Sequence, residues 1–374
     1  MKDGDKNTGF FHKQAVAKRN FNTVSEIRSQ DKVINNFDDI KTEASKYFED
    51  LYTDQPVIED AQLLNLVPNA IKSKDNDALK QVVTLEEIKQ AVDNMEDDRA
   101  PGPDGFNVNF IKICWEIVKI DLLKMVMKSQ RCIKIGGSTN SAFLALIPKE
   151  KGAKTFDRFR PISLCNIGYK IITKIMANRL KNILPQLILE NQGGFVKGRM
   201  IWDNIILVQE AIHSSQKNGD KGMAVKLDLA NAFDRVSHSF LYQVMRRFGF
   251  APEFISWVKA CISQPWIAPL INGRAGPFFK ASRGLRQGCP LSPLLYAIQA
   301  SVLSLQLEYA RQDQELSGIR MARGTKDINH ALFVNDTILL GGASRIIARH
   351  FKLEMNRYFN ASRSKINLGK SQIF

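Results

Sequence analysis

The stretch from Leu332 to Leu340 constrains the fold more than any other part of this chain. Two apolar runs flank the pair Asn335 and Asp336, and two turn-tolerant residues between β-prone runs are typical of a tight hairpin. We therefore predict a hairpin that has Asn335 and Asp336 in its turn and presents one carboxylate at its tip. A second apolar strand upstream ends in Asp228. A sheet that pairs the two segments brings both carboxylates together.

Charge is distributed unevenly along the chain. The 374 residues carry a formal net charge of +15. Residues 37–98 contain 16 acidic and 6 basic residues, whereas residues 99–374 contain 18 acidic and 40 basic residues. A basic region of this size favours a polyanionic partner, although a merely soluble basic surface has the same composition.

Cysteine usage and hydropathy exclude several classes of protein. The five cysteines form no Cys-x-x-Cys pair and no metal-ligand spacing with the five histidines, so neither a zinc site nor a disulfide framework is indicated. The sequence has no cleavable signal pattern and no apolar run of about 18 residues. We therefore expect a protein of the nucleus or cytoplasm that is neither secreted nor inserted in a membrane.

The acidic N-terminal region is predicted to be helical. Ile40, Ala44, Tyr47, Phe48 and Leu51 follow helical spacing, which predicts one amphipathic helix. Another helix is expected after a capping-box pattern at 84–87, where a threonine precedes a glutamate by three residues. We interpret this region as a helical brace that packs against the rest of the chain.

Two later helices are predicted from apolar spacing. The first spans residues 171–183, and its outer face is expected to carry Lys170, Lys174, Arg179 and Lys181. That face lies along nucleic-acid phosphates or is simply solvated. The second helix covers residues 240–248, and the glycine that follows is placed to terminate it.

The order of the motifs resembles one family. A strand ending in Asp228 is followed five residues later by Phe233, then by Arg-Gln-Gly-Cys-Pro-Leu-Ser-Pro at 286–293, and then by the hairpin. Phe-Arg-Pro-Ile-Ser-Leu at 159–164 and Phe-Val-Lys-Gly-Arg at 195–199 accompany them. These motifs resemble the reverse transcriptases of plant non-LTR (LINE-type) retrotransposons, and the resemblance extends over nearly the whole chain.

The resemblance implies a fold and a domain order. The fold class is α+β: right-hand polymerase fingers and palm, with an antiparallel palm sheet backed by helices and an N-terminal helical extension. We expect a connector and acidic helical extension at 1–98, fingers with part of the palm at 99–225, and palm at 226–374. The family's endonuclease and thumb are expected to lie outside this sequence.

The resemblance also implies an activity. The family consists of RNA-directed DNA polymerases, which use an RNA template, a DNA primer and dNTPs. Two Mg²⁺ ions, or Mn²⁺ in their place, assist nucleotidyl transfer, and hard cations of this kind need oxygen ligands.

Individual residues take roles by their positions in these motifs. The expected metal ligands are Asp228, the Leu229 carbonyl and Asp336. Lys370 is the candidate proton donor to pyrophosphate. The nucleotide is expected to contact Lys149, Arg160, Phe233, Gln287 and Gly288. Simpler interpretations exist for several of them: a strand-end cap for the first aspartate, solvated surface for the cations, and a core position for the phenylalanine.

One departure from the family matters most, beside a second at Arg363, where the resemblance leads us to expect a glycine. The family hairpin has two consecutive aspartates, and this chain has Asn335 where the first belongs. An amide fits the hairpin as well as a carboxylate does, but it provides one neutral oxygen in place of a charged ligand. We therefore expect a folded polymerase with impaired catalysis. The alternatives are a non-catalytic RNA- or DNA-binding remnant and an inert fragment of a degenerate element.

Overall fold

The computed structural model describes residues 9–29, 32–55, 59–219, 221–322 and 324–374. The first eight residues of the expected connector lie outside these ranges. The described residues form helices and largely antiparallel sheets, so the expected α+β class is confirmed. None of the described helices is long and apolar enough to cross a bilayer.

The secondary structure alternates between helical and strand-rich segments. In the described ranges the helices are α1 (Gly9–Asn22), α2 (Phe37–Tyr52), α3 (Ala61–Asn65), α4 (Ser73–Lys80), α5 (Leu85–Asp93), α6 (Val108–Ile113), α7 (Trp115–Cys132), α8 (Ile167–Lys181), α9 (Leu184–Leu187), α10 (Ile201–Asn218), α11 (His238–Phe248), α12 (Pro252–Ile262), α13 (Ser292–Gln312) and α14 (Arg345–Ser362). The strands there are β1 (Ile27–Ser29), β2 (Lys32–Ile34), β3 (Ser141–Pro148), β4 (Phe159–Cys165), β5 (Gly222–Asp228), β6 (Trp266–Ile271), β7 (Arg274–Ala275), β8 (Phe279–Lys280), β9 (His330–Phe333), β10 (Asp336–Gly342) and β11 (Gln372–Ile373).

A four-stranded antiparallel sheet has the order β11–β5–β10–β9. Strand β5 pairs with β10 from Asp228 opposite Asp336 to Gly222 opposite Gly342. The expected hairpin supplies β9 and β10, and the strand that ends in Asp228 lies next to it. The sheet predicted from the two apolar segments is therefore present.

A five-stranded sheet combines distant parts of the chain. Its order is β4–β3–β6–β7, and β8 pairs with the free part of β6. Strand β3 is antiparallel to β4 and parallel to β6. Strand β3 precedes the expected domain boundary at residue 225 and β6 follows it, so this sheet includes strands from both expected domains. The domain limits themselves remain a prediction.

The main hydrophobic core surrounds helix α13. This helix is buried on nearly every side, including residues as large as Leu295 and Tyr296. Apolar residues all around a helix are typical of one that crosses the centre of a domain. Helices α11 and α14 pack against it, and the four-stranded sheet lies beside it through Leu332 and Leu339.

Helix α2 covers the five-stranded sheet and forms a second core. Ile40, Phe48 and Tyr52 are buried against Leu144 and Ile267. The amphipathic helix predicted for this region is confirmed, since α2 spans Phe37–Tyr52. Its start is fixed by the preceding asparagine, whose side chain accepts hydrogen bonds from the first-turn N–H groups. The N-terminal segment is thus packed as a brace.

Helix ends follow the sequence signals in two places. Thr84 Oγ1 accepts the Glu87 N–H at 3.2 Å at the start of α5, as its cap position predicts. Gly249 adopts a φ of +93° and ends α11. The Glu87 carboxylate does not close a capping box, because it accepts two hydrogen bonds from Arg179, each 2.7 Å long.

The prediction that Arg179 lies on the outer face of α8, along phosphates or in solvent, was wrong. Its side chain is 9% exposed and joins α8 to α5 through Glu87. Its guanidinium also donates to the carbonyls of Leu79 and Gln81 and lies over the Trp257 ring. Arg179 therefore holds helices together and is not available for phosphate contacts.

Replacing Arg179 should destabilise the fold. Arg179→Ala removes the partner of a largely buried carboxylate and leaves two carbonyls unsatisfied, so we expect a loss of about 2 to 4 kcal/mol in unfolding free energy. Urea denaturation measures this change. The matched control is Lys181→Ala on the exposed end of the same helix, which should change stability by less than about 0.5 kcal/mol. Equal stability of the two variants would contradict the packing role.

Candidate active site

Asp228 and Asp336 lie directly across from each other on neighbouring strands. Asp228 is the last residue of β5, Asp336 is the first of β10, and the sheet register pairs them. Opposite residues of an antiparallel pair project to the same face. The two aspartates therefore occupy paired positions in the sheet, as predicted.

The turn of the hairpin is shifted by one residue from its predicted position. Phe333 pairs with Asp336, so Val334 and Asn335 form the turn, and Asp336 belongs to the strand. Val334 adopts a φ of +57°, a strained conformation for a β-branched residue. Gly194 packs against this backbone, and a Cβ there would lie 2.9 Å from the Val334 nitrogen. The close approach of a second segment thus accompanies the strained turn.

Two amides hold the carboxylate of Asp228. Asn335 Nδ2 donates to Oδ1 at 3.2 Å, and Asn367 Nδ2 donates to Oδ2 at 3.0 Å. The Asn367 N–H also donates to the Asp228 backbone carbonyl at 2.8 Å. Sequence reasoning missed Asn367, whose only signal was its place in the segment before Lys370. Both oxygens of the first aspartate are therefore occupied by neutral donors.

A cavity of about 400 Å³ opens beside these strands. Eight of the predicted site residues line it: Lys149, Arg160, Asp228, Leu229, Phe233, Gln287, Asn335 and Lys370. Gly288 and Asp336 are not among its lining residues. Gly288 instead borders a neighbouring cavity of about 360 Å³ together with Lys170 and Lys174. The structure thus gathers most of the predicted site, but not all of it.

Three cations surround the mouth of the main cavity. Lys149 Nζ donates to the Asp157 carbonyl at 2.8 Å, which fixes the ammonium at the edge. Partial burial lowers the pKa of Lys149, and the positive charges of Lys370 and Arg160 lower it further. Clustered cations that repel one another favour an anionic ligand such as a phosphate chain.

Phe233, which lines the cavity, packs against two other aromatic rings. The Phe233 ring stacks on Tyr296 with centroids 4.8 Å apart and an interplanar angle of 20°. The Phe195 ring meets it edge-on at 6.2 Å. These two ring contacts restrict the movement of Phe233 at the cavity wall.

A buried carboxylate that sequence reasoning missed lies next to this ring. Asp234 is 1% exposed and accepts a 2.6 Å hydrogen bond from the Tyr52 hydroxyl. Gln287 Nε2 donates to both of its oxygens at 3.1 and 3.0 Å. Burial raises the pKa of Asp234 to about 6. Local sequence gave no signal for this group, because Tyr52 lies 182 residues away.

The oxygen donors at the sheet edge suit a hard cation. Asp228 and Asp336 provide carboxylates, and the carbonyls of Leu229 and Asn335 add neutral oxygens, which are the ligand types that Mg²⁺ takes. No cluster of three or more acidic, histidine or cysteine side chains suited to a metal occurs in the described ranges. The described residues thus place two carboxylates of the type that divalent ions accept at one edge of the sheet.

Comparison with known proteins identifies the family. Residues 147–374 match the family described as reverse transcriptase (RNA-dependent DNA polymerase). The chain is 26% identical over 373 residues to the transposon TX1 uncharacterized 149 kDa protein of Xenopus laevis. The aligned residues cover 99% of this chain and 28% of that protein. It is 28% identical over 243 residues to the Pol polyprotein of the type-2 element R2DM of Drosophila melanogaster, covering 64% of the chain and 22% of the polyprotein.

A third relative is the RNA-directed DNA polymerase from the mobile element jockey of Drosophila melanogaster. It is 25% identical over 272 residues, which cover 71% of this chain and 28% of that protein. The chain thus spans between a fifth and a third of the length of these relatives. Since the family match covers more than half of the chain, the protein belongs to the reverse transcriptase family, with the fingers and palm fold and the polymerase domain of a non-LTR retrotransposon.

Proposed function

We propose that this chain binds an RNA template, a DNA primer and dNTPs as the polymerase domain of a plant LINE-type element, and that it transfers nucleotides poorly. One observation carries the proposal: the Asn335 amide donates to the Asp228 carboxylate at 3.2 Å. A carboxylate at position 335 could not donate this bond. It would instead repel Asp228, unless a cation neutralised the pair. The chain has therefore exchanged a cation-dependent contact for a hydrogen bond.

We assign the remaining cavity residues to substrate binding. Lys149, Arg160 and Lys370 face the cavity mouth, where they would hold the triphosphate. Phe233 would lie under the sugar, where its packed ring excludes a 2′-hydroxyl. The backbone carbonyl of Gln287 accepts the N–H of Ser163 in strand β4. Gln287 would therefore contact the nucleotide from the side of the five-stranded sheet.

Metal binding is the weakened step. Asp228, Asp336 and the Leu229 carbonyl would hold Mg²⁺ or Mn²⁺, for which the two-ion arrangement is our proposal. When bound, the ions activate the primer hydroxyl and neutralise charge on the departing pyrophosphate. The Asn335 side chain supplies only a neutral oxygen as a ligand. Its amide nitrogen also donates a hydrogen bond to Asp228 Oδ1, which competes with metal binding by that oxygen. A loss of about 3 to 5 kcal/mol in transition-state stabilisation corresponds to a rate decrease of roughly 10² to 10⁴.

A second function is favoured by the charge distribution. Residues 99–374 contain 40 basic and 18 acidic residues, and this excess persists whatever the hairpin does. A remnant that binds RNA or DNA without catalysis uses the same surface, with an affinity that falls steeply as salt rises. We place either activity in the nucleus or cytoplasm. Restoration of the carboxylate at position 335 separates the two functions.

Primer extension on an RNA template should recover when the family carboxylate is restored. Asn335→Asp adds the missing charged ligand, so we expect the rate with Mg²⁺ to rise by roughly 10² to 10⁴. The matched control is Asn231→Asp, which adds the same charge elsewhere in the cavity lining and should give no gain. Equal rates for the unmodified chain and the Asn335→Asp variant would refute the impairment. Absence of synthesis by both would favour the binding remnant.

Thermal melting should reveal the same exchange without catalysis. With a chelator, Asn335→Asp should melt about 1 to 3 °C below the unmodified chain, because two adjacent carboxylates replace a hydrogen bond. Added Mg²⁺ should then raise the melting temperature of the variant more than that of the unmodified chain, since a ligand stabilises the state that binds it. An equal response of both proteins to Mg²⁺ would show that residue 335 does not affect metal binding.

Sugar selection should depend on the packed Phe233 ring that lines the cavity. In the Asn335→Asp background, Phe233→Val opens space beneath the sugar, and we expect incorporation of ribonucleotides relative to deoxynucleotides to increase at least about tenfold. Competition between the two nucleotide types in primer extension measures this ratio. Tyr296→Phe is the control, since it preserves the ring that supports Phe233. An unchanged ratio in Phe233→Val would assign that ring to the core alone.

A further inference from the structure

A chain of hydrogen bonds connects helix α2 to the candidate nucleotide cavity. Helix α2 ends at Tyr52, whose hydroxyl donates to Asp234 Oδ1 at 2.6 Å. Asp234 accepts two further bonds from the Gln287 amide, and Gln287 lines the cavity. Tyr52 and Asp234 are 2% and 1% exposed, so water does not compete for these bonds.

Tyr52 is held in place at both its backbone and its ring. Its carbonyl accepts the N–H groups of Ser282 and Arg283 at 2.9 and 3.0 Å. Its ring stacks on Phe279 at 6.4 Å. Gly284 lies so close that a Cβ there would be 2.8 Å from the Tyr52 ring. The hydroxyl therefore has one fixed position relative to Asp234.

The carboxylate in turn selects the orientation of the Gln287 amide. An ionised carboxylate only accepts hydrogen bonds, so the amide nitrogen must face it and the amide carbonyl must turn away. Burial raises the pKa of Asp234 to about 6, which leaves the group ionised at neutral pH. The backbone of Gln287 is held by a separate bond, because its main-chain carbonyl accepts the Ser163 N–H at 2.7 Å.

We propose that Tyr52 and Asp234 are positioning residues for the incoming nucleotide, because they hold the Gln287 amide in a single orientation with its carbonyl oxygen free to accept a hydrogen bond. Helix α2 thereby contributes to nucleotide affinity without touching the nucleotide. This inference rests on the proposed contact between Gln287 and the nucleotide. It adds Asp234, which borders the cavity next to Phe233, and Tyr52, which is not among the residues that line it.

Nucleotide binding in a stalled complex tests the inference without relying on catalysis. The full chain is bound to an RNA template and a primer ending in a dideoxynucleotide, and the Kd of the next complementary dNTP is measured by titration. We expect Tyr52→Phe to raise this Kd by roughly fivefold to tenfold, which is the effect of losing about one hydrogen bond to a charged group. The Kd of the primer–template itself should stay within about twofold.

A double-mutant cycle shows whether Tyr52 acts through Gln287. Gln287→Ala alone should raise the dNTP Kd, and adding Tyr52→Phe to it should change the Kd by less than about twofold. Asp234→Asn should resemble Tyr52→Phe, because a side-chain amide can satisfy only one of its two partners with the original polarity. Tyr47→Phe is the control, since this half-buried hydroxyl on the same helix has no hydrogen-bond partner among the described residues.

The outcomes separate the inference from the function beneath it. A normal dNTP Kd in Gln287→Ala overturns the Gln287 contact and the inference with it. A raised Kd in Gln287→Ala combined with a normal or additive effect of Tyr52→Phe overturns the inference alone. Parallel weakening of primer–template binding, or the same effect from Tyr47→Phe, assigns Tyr52 a structural role only and also overturns it.

Discussion

The antiparallel pairing of β5 with β10 determines the geometry of this protein. Seven consecutive residue pairs fix the register, and the last of them joins Asp228 to Asp336. A shift by one residue would turn every side chain of β10 to the other face and separate the two carboxylates. The buried helix α13 supports the sheet from one side, so the pairing is specified by the core as well as by backbone hydrogen bonds.

The asparagine at the tip of this hairpin is compatible with the fold, whatever its effect on the proposed chemistry. Asn335 lies in a two-residue turn where an amide is as acceptable as a carboxylate. Its amide also forms a hydrogen bond that a carboxylate could not form. The fold thus imposes no cost on the loss of the charge. Complete apolar packing is therefore compatible with the proposed loss of a metal ligand at this edge.

Sequence predicted those parts of the structure that local patterns determine. The hairpin, the Asp228 strand and the helix ending at Gly249 were correct, because periodicity and turn chemistry act over a few residues. The turn was displaced by one residue, since packing of Gly194 against Val334 overrides the preference of Asn and Asp for turns. The remaining features depend on partners far apart in the chain, which no local pattern encodes: Tyr52 with Asp234, Asn367 with Asp228, and Arg179 with Glu87.

The candidate site is therefore assembled from segments that the chain order keeps apart. Strands on both sides of residue 225 share one sheet, and helix α2 packs on that sheet. The last residue of α2 donates a hydrogen bond to Asp234, which borders the cavity. A carboxylate buried at such a junction is stable only when every lone pair facing the protein is satisfied. Tyr52 and Gln287 supply those donors. Because removing either donor leaves a buried charge short of partners, helix α2 and the turn that carries Gln287 constrain each other. The acidic extension therefore contributes to the architecture of the cavity as well as bracing the sheet.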